Sequence, residues 1–377
     1  MNISDVIVVG GGVIGSAAAY HLARRGAQVR LFDQYAPGHA RGSSHGPSRI
    51  IRLAYETSDY VQLARAAFAG WRALAADTGL HLIQTAGGID IGTPDAHGLA
   101  AIRATYDALG VPYDALDRQA IAARFPQFAL PDDTIGLYQA DYALLAADRC
   151  VAALTGEAHR RGAVLHHGET VQQIAVHGDA VEVVTNKKSY SAGRLVLAAG
   201  SWTRPLLHQL DLDLPLTVTK EQLAFYTPRT PAQYTPGIFP LVIHRFVDTT
   251  MLGSFFPTFD HAGVKCMLDR TGPEVAPEDD DRSIDAGNLA QLNAYVAATL
   301  PDLHPEPIEA VSCRYTMTPD EHFILDQHPA HPQVVIGSPC SGHGFKFGVV
   351  IGEILADLAT IGATTHDIGR FGVGRFG

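Results

Sequence analysis

The chain has 377 residues, 46% hydrophobic and 18% charged, with 37 glycines and 22 prolines; this describes a folded protein long enough for two domains and excludes a disulfide-stapled miniprotein, a disordered tail, a collagen and a coiled coil. Its 28 Lys plus Arg against 39 Asp plus Glu give a formal charge of -11, so the basic footprint that a nucleic-acid partner demands is missing. The four cysteines lie far apart, without metal-knuckle or disulfide spacing: no metal site is expected, and Cys150, Cys266 and Cys340 read as inert buried thiols.

In chain order, Val6 to Val9 form a β-branched run ending in Gly10-Gly11-Gly12, and residues 13–25 carry helical apolar spacing up to Gly26. A second strand over residues 28–32 stops at Asp33, completing a β-α-β unit. Residues 35–48, rich in Gly, Ser, His and Pro, predict a loop, and residues 60–77 a helix. Between residues 80 and 136 strand signals such as Gly-Gly-Ile-Asp-Ile-Gly alternate with helical stretches such as 96–109, the pattern of inserted material. A helix over 148–161 leads into strands at 163–166, 171–176 and 180–185, then a continuous buried strand over 194–199. From residue 216 the pattern becomes antiparallel, with strands near 221–226, 237–243, 249–256 and 264–267. An acidic loop at 278–281, a helix over 286–300, a segment at 307–315, a strand at 334–337 and a helix after Ser341 complete the chain. No run of 18 apolar residues occurs, and the first residues carry no basic stretch or cleavage site, so the expectation is a soluble cytoplasmic protein that does not engage a membrane.

Gly10-x-Gly12-x-x-Gly15 sits between strand and helix, where glycines permit a tight turn, close backbone approach to a pyrophosphate and close helix-strand packing. The helix N-terminus adds a positive field. Asp33, 23 residues after Gly10, is placed to hydrogen-bond a ribose hydroxyl pair and would repel a 2'-phosphate. The loop therefore points to FAD or NAD without separating them. Gly42-Ser43-Ser44-His45-Gly46 also matches the G-x-S-x-G elbow of hydrolases, but the strand that an elbow requires does not precede it.

Three other segments are more selective: Ser43-Ser44-His45-Gly46-Pro47-Ser48-Arg49-Ile50-Ile51-Arg52, Ser312-Cys313-Arg314-Tyr315-Thr316-Met317, and Ser341-Gly342-His343-Gly344-Phe345-Lys346-Phe347. With them the chain resembles, over nearly its whole length, the monomeric sarcosine oxidase and N-methyltryptophan oxidase family of the D-amino-acid-oxidase-like flavoenzymes. The resemblance implies FAD held by Gly10, Gly12, Val13, Ile14 and Gly15, by Asp33 and Gln34, by Ser43, Ser44, His45 and Arg49, and by Val171, Gly200, Gly342, Gly344 and Lys346. It further implies a thioether from Cys313 to the flavin ring. Read alone, Cys313 is one more buried thiol; as a nucleophile it would have to be a thiolate, favoured by Arg314 or another cation.

Only five lysines occur, and Lys346 lies in an apolar, glycine-rich stretch where a charge needs a reason. By itself it reads as a stem snorkelling to solvent. By resemblance, Arg52 and Lys346 together grip a substrate carboxylate, each charge-assisted hydrogen bond being worth roughly 1.5–3 kcal/mol. Lys265, otherwise an exposed strand lysine, is implied to assist oxygen reduction over the opposite flavin face, while His45 and Arg49 tune the ring. Tyr315, and less readily Phe255 or Phe256, are candidates for an aromatic wall. Asp269 stands where a sarcosine oxidase has a substrate-side histidine, and it either binds a cationic amine or faces solvent. Together with Pro47 and Met317 it argues against sarcosine itself as substrate.

The expected fold is α/β (α+β overall): a Rossmann-like FAD-binding domain (residues 1–84, 145–214 and 320–377) carrying a substrate domain of mixed, largely antiparallel sheet with helices (85–144 and 215–319). The expected activity is oxidation by O2 of a small amine bearing a carboxylate, an N-methyl amino acid, to an imine that hydrolyses, with hydrogen peroxide as co-product and a monomer as the working unit. An oxidase or dehydrogenase of a cyclic imino acid or larger amine, and a redox-silent FAD-binding module, are the alternatives.

Overall fold

The computed structural model describes residues 3–338 and 341–377. Cys340 lies outside the described residues. Among the described residues, two eight-stranded sheets and one of three strands make up the framework. Strand Ile3–Val9 occupies the middle of the first sheet, running parallel to Val29–Asp33 on one side and to Ser189–Leu197 on the other. Central position on two faces is why Val6, Ile7, Val8 and Val9 are all buried and why the strand reads as an unbroken β-branched run. Val164–His167 extends the sheet in parallel beyond Val29–Asp33. On the other side, Ser189–Leu197 is longer than its apolar stretch suggested: its first half pairs antiparallel with Ala180–Thr185, its second half parallel with Val334–Ser338.

Helix Val13–Arg24 crosses between the first two strands and is buried along nearly its whole length. Two helices cover it, Ala147–Arg160 and the closing helix Gly348–Thr360. The fit is close: a Cβ on Gly352 would lie 2.4 Å from the Ala17 carbonyl carbon, and one on Gly348 would lie 2.5 Å from Val13 Cγ2. Glycines therefore set how near the closing helix comes to the helix that begins at the Gly-rich turn.

The second sheet is the largely antiparallel one. Its strands, in spatial order, are Glu309–Met317, Thr217–Tyr226, Val264–Leu268, Leu252–Phe256, Leu241–Arg245, Gly88–Gly92, Ile135–Gln139 and Asp114–Asp117, with Leu241–Arg245 and Gly88–Gly92 as its parallel pair. Material between residues 80 and 140 thus completes this sheet. The strand expected over 237–243 starts only at Leu241, because Gly237 has φ +90° and Pro240 has no N–H to give a ladder. Likewise the helix expected from residue 96 starts at Leu99, since Gly98 at φ +74° is left-handed. The small sheet joins Ser48–Ile51, Ala143–Ala146 and Ile83–Thr85. These short strands are missing from the sequence reading because Ala143–Ala146, buried at every position, shows no alternation.

Candidate active site

A cavity of about 970 Å³ is lined by residues from both large sheets and from the small one. One end is the Gly-rich turn, where Gly10, Gly12, Val13, Ile14, Asp33 and Gln34 reach the cavity together with Ser43, Ser44, Val171 and Gly200. Gly15, of the expected nucleotide-binding residues, does not line it: a Cβ there would sit 1.8 Å from the Gly10 carbonyl oxygen, so this glycine serves strand-helix packing. Gly10 has φ +105°, and a Cβ on it would meet Ala198 O at 2.2 Å. Asp33 does more than wait for a ligand. Its Oδ2 accepts the Gly11 N–H at 2.7 Å and its Oδ1 the Tyr35 N–H at 2.8 Å. Burial alone would raise its pKa, but His39 and those two N–H groups outweigh it and hold the carboxylate below its ordinary range. Ser44 Oγ accepts the Val13 N–H at 3.0 Å, joining the 35–48 loop to the first turn of the helix.

In the middle of the cavity lie His45, Arg49, Lys265 and Cys313. Arg49 Nη2 donates to Ser43 O and His45 O, both at 2.8 Å, so the guanidinium clamps the loop that carries it. Its Cζ stands 5.4 Å from the Phe345 ring centroid. Burial and then Arg49 push His45 down to about 4, leaving it neutral near pH 7. Lys265, only 6% exposed, sends Nζ to Ser48 O at 3.0 Å and lies 4.7 Å over the Phe256 ring. Its pKa is lowered to about 7, by burial first and by Arg49 second. An isolated strand lysine would face water; here the strand is covered and the ammonium is held inside. Burial raises the Cys313 thiol to about 11, opposed by Arg49 and Lys265. Arg314 is not the cation beside it: its Nη1 turns away to the carbonyls of Ala276 and Pro277.

The other end is built on Arg52, Tyr315, Gly342, Gly344 and Lys346. Lys346 sits in the single turn Phe345–Phe347 that precedes the closing helix, its carbonyl anchored by the Trp71 indole N–H at 2.8 Å. It does not snorkel: it is 4% exposed, and Nζ donates to His343 O at 2.8 Å and Tyr55 OH at 3.0 Å. The Tyr55 hydroxyl can donate to His343 Nδ1 at 3.3 Å, leaving His343 Nε2–H to donate to Glu321 O at 3.2 Å. Burial, then Arg52, drives Lys346 well below the usual lysine range. Arg52 is 6% exposed, donates Nη1 to Ala54 O and lies 5.0 Å over the Tyr55 ring. Burial would lower its pKa, but Asp90 and three tyrosines outweigh that and keep the guanidinium charged. Gly342, at φ +74°, passes so near Tyr315 that a Cβ would lie 2.5 Å from the ring. Phe256 reaches the cavity, whereas Phe255 is buried and stacks on Tyr295 at 5.2 Å. Asp269 lines the cavity yet neither faces solvent nor stands free: it accepts Leu252 N–H at 2.7 Å and Arg270 Nη1 at 2.8 Å, and burial raises it to about 6.

Residues 5–358 match the family described as FAD dependent oxidoreductase. The chain is 36% identical to a monomeric sarcosine oxidase of Streptomyces avermitilis over 97% of its own length and 96% of that protein's. It is 31% identical to an N-methyl-L-tryptophan oxidase of Yersinia pestis over 99% of each. The chain belongs to the sarcosine oxidase family of FAD-dependent oxidoreductases. Its fold agrees with the solved open form of NikD, an unusual amino acid oxidase essential for nikkomycin biosynthesis, with TM-score 0.89, 29% identity and coverage of 99% and 98% of the two chains. The residues present fit FAD. A side chain on Gly12 would approach Ser44 Oγ at 3.1 Å and close the cradle between loop and helix, and the cavity continues unbroken from that cradle past Cys313 to Lys346.

Several residues that shape this FAD enzyme's cavity carried no role in the sequence reading. Tyr55 and His343 form the hydrogen-bond chain behind Lys346, and Phe345 carries Arg49. Asp90 did offer a signal: a carboxylate in the midst of the apolar run Gly-Ile-Asp-Ile-Gly must find a partner once buried. Among the described residues, no group of three or more His, Cys, Asp and Glu is placed to hold a metal, and no helix is long and apolar enough to cross a membrane.

Proposed function

We propose that this FAD-dependent oxidoreductase is an oxidase of secondary amines whose substrates are N-methyl amino acids, with O2 as acceptor and hydrogen peroxide as product. The observation that carries the reading is the pair of buried basic side chains, Arg52 and Lys346, opening on the same cavity as the dinucleotide turn. A protein with formal charge -11 has no general attraction for an anionic substrate, so an acid group must be captured by a local pocket such as this one. When bound, FAD would supply the two-electron acceptor for the hydride of the C–H bond next to nitrogen, leaving the imine, and the donor that reduces O2 to hydrogen peroxide.

The roles of the chain's own groups follow from their surroundings. Arg52 and Lys346 orient the carboxylate. Lys346 is held well below the usual lysine range by burial and then Arg52, and an acid group beside it would favour its charged form. Tyr315 and Phe256 wall the space beside them, and Lys265 supplies the positive charge that favours oxygen reduction. Arg49 and His45, which line the same cavity, would tune the flavin ring. Cys313 tethers FAD through a thioether. In this reading residues 1–84, 145–214 and 320–377 bind FAD, residues 85–144 and 215–319 cover the substrate, and a single chain suffices. Asp269, tied to Arg270, forms part of the wall of the same cavity.

The test is a panel of N-methyl amino acids, pipecolate and unmethylated controls, added first without and then with oxygen. Bleaching of the yellow enzyme by N-methyl amino acids, followed by stoichiometric peroxide on admission of air, supports the reading; bleaching by none of them removes it. Acid precipitation checks the tether: colour is expected to stay with the protein and to leave with the supernatant in Cys313→Ser.

A further inference from the structure

Arg52 and Asp90 approach each other but stop short of bonding. Arg52 Nη1 lies 3.9 Å from Asp90 Oδ1, beyond hydrogen-bond range, and its buried Nε has no partner. Asp90 is 0% exposed, and both of its oxygens are engaged. Oδ1 accepts Arg245 Nε at 3.0 Å, and Oδ2 accepts the Tyr142 hydroxyl. Arg245 is itself held by His97 O at 3.2 Å and by Glu56 Oε1 at 3.3 Å. Arg52 reaches the cavity; Asp90, Arg245 and Tyr142 do not.

A buried carboxylate with a free oxygen beside a guanidinium closes into a two-point pair, and a guanidinium so paired has little left for a substrate acid group. A buried guanidinium with no counter-ion at all is costly to keep charged. The arrangement here avoids both. Asp90 stands near enough to stabilise the Arg52 charge through the low-dielectric interior, while its oxygens are occupied by other donors. With Glu56 beside Arg245, two arginines face two carboxylates, so what Arg52 offers an incoming carboxylate is unshared donors rather than a surplus of charge.

We propose that Arg245, assisted by Tyr142, is a positioning residue for the carboxylate end of the site: by holding Asp90 it keeps Arg52 charged yet uncommitted, with donors free for the substrate acid group. The inference rests on the reading of Arg52 as part of the clamp.

The experiment measures dissociation constants of propionate, with propionamide as its uncharged counterpart, from the visible spectrum of the oxidised holoenzyme. In Arg245→Gln, Asp90 is released to Arg52, and the propionate constant should rise about tenfold or more while propionamide stays within about twofold. Asp90→Asn combined with Arg245→Gln leaves no carboxylate to claim Arg52 and should recover most of the loss. Tyr142→Phe frees the other oxygen and should act in the same direction more weakly, carrying the test if Arg245→Gln does not fold. Wild-type propionate affinity in the single variants, equal weakening of both probes, or no recovery in the double variant overturns the proposal. Arg52→Met separates the two ideas: if it too leaves propionate affinity unchanged, the clamp itself fails, whereas weakening in Arg52→Met alone leaves the clamp and removes only the role of Arg245.

Discussion

Lys265 and Lys346 share a residue type and deep burial, yet their partners give them different work. Lys265 Nζ has one carbonyl partner, Ser48 O, and a pKa lowered to about 7, so it is a cation poised to gain or lose its proton near neutrality. Lys265→Met should slow reoxidation of the reduced enzyme by about a hundredfold, the scale of removing one preorganised charge, and leave anaerobic reduction by substrate much less affected. Stopped-flow mixing with oxygen separates the two half-reactions, and equal slowing of both would contradict the assignment. Lys346, by contrast, is pressed by burial and by Arg52 well below its ordinary range. An arriving carboxylate opposes that pressure and favours the ammonium form, so propionate binding should be accompanied by proton uptake across the pH range in which Lys346 of the free enzyme titrates. Calorimetry in buffers of different ionisation enthalpy reads this as a dependence of binding heat on buffer; no dependence would mean that Lys346 is already charged.

Among the elements, the closing helix Gly348–Thr360 matters most, because it both follows the turn holding Lys346 and packs on the helix that starts at the Gly-rich loop. Its contact at Gly352 is with the backbone of Ala17, which has no rotamer by which to yield. Gly352→Ala should therefore cost about 2 kcal/mol, the ordinary size of an overpacked core, and because the first helix must shift, the variant should also release or load FAD poorly. Urea midpoints and the flavin-to-protein absorbance ratio check the two effects. The same elements show what could be read locally. Strand Ile3–Val9 and helix Val13–Arg24 were legible because a buried central strand and a buried crossover helix carry their patterns in consecutive residues. Ser48–Ile51 and Ala143–Ala146 were not, since four residues of mixed or complete burial hold neither period.

For the whole molecule, acid should be the weak side. His45 and His244 are both lowered to about 4, chiefly by burial, from an unfolded value near 6.5. Between those values the unfolded chain binds protons that the folded chain refuses. The stability they provide is complete above about 6.5 and is lost as pH falls towards 4, at up to about 1.4 kcal/mol per pH unit for each histidine. Asp269, raised to about 6, works in the opposite sense between about 6 and 3.8 and offsets about one of the two histidines, while Asp33, held below its ordinary range, adds a further loss beneath about 3.8. The urea midpoint of the holoenzyme should accordingly fall steadily from pH 7 to pH 4.5, and a flat profile would show that these histidines take up protons while still folded.

The amino-acid sequence alone determined the dinucleotide turn, the family resemblance, the lone thiol in its selective segment and the few cations available to meet an anion. Each is a matter of residue type and short spacing, which backbone geometry turns directly into strand, turn and helix. Tertiary structure decided which charges meet. Arg245 and Asp90 are 155 positions apart, and Lys265 and Ser48 are 217 apart. Such pairs exist only because two strands are neighbours in a sheet or two sheets share a cavity. It is the dielectric and the hydrogen bonds found there, rather than the residue names, that lower one lysine, keep one arginine charged and hold one aspartate at arm's length.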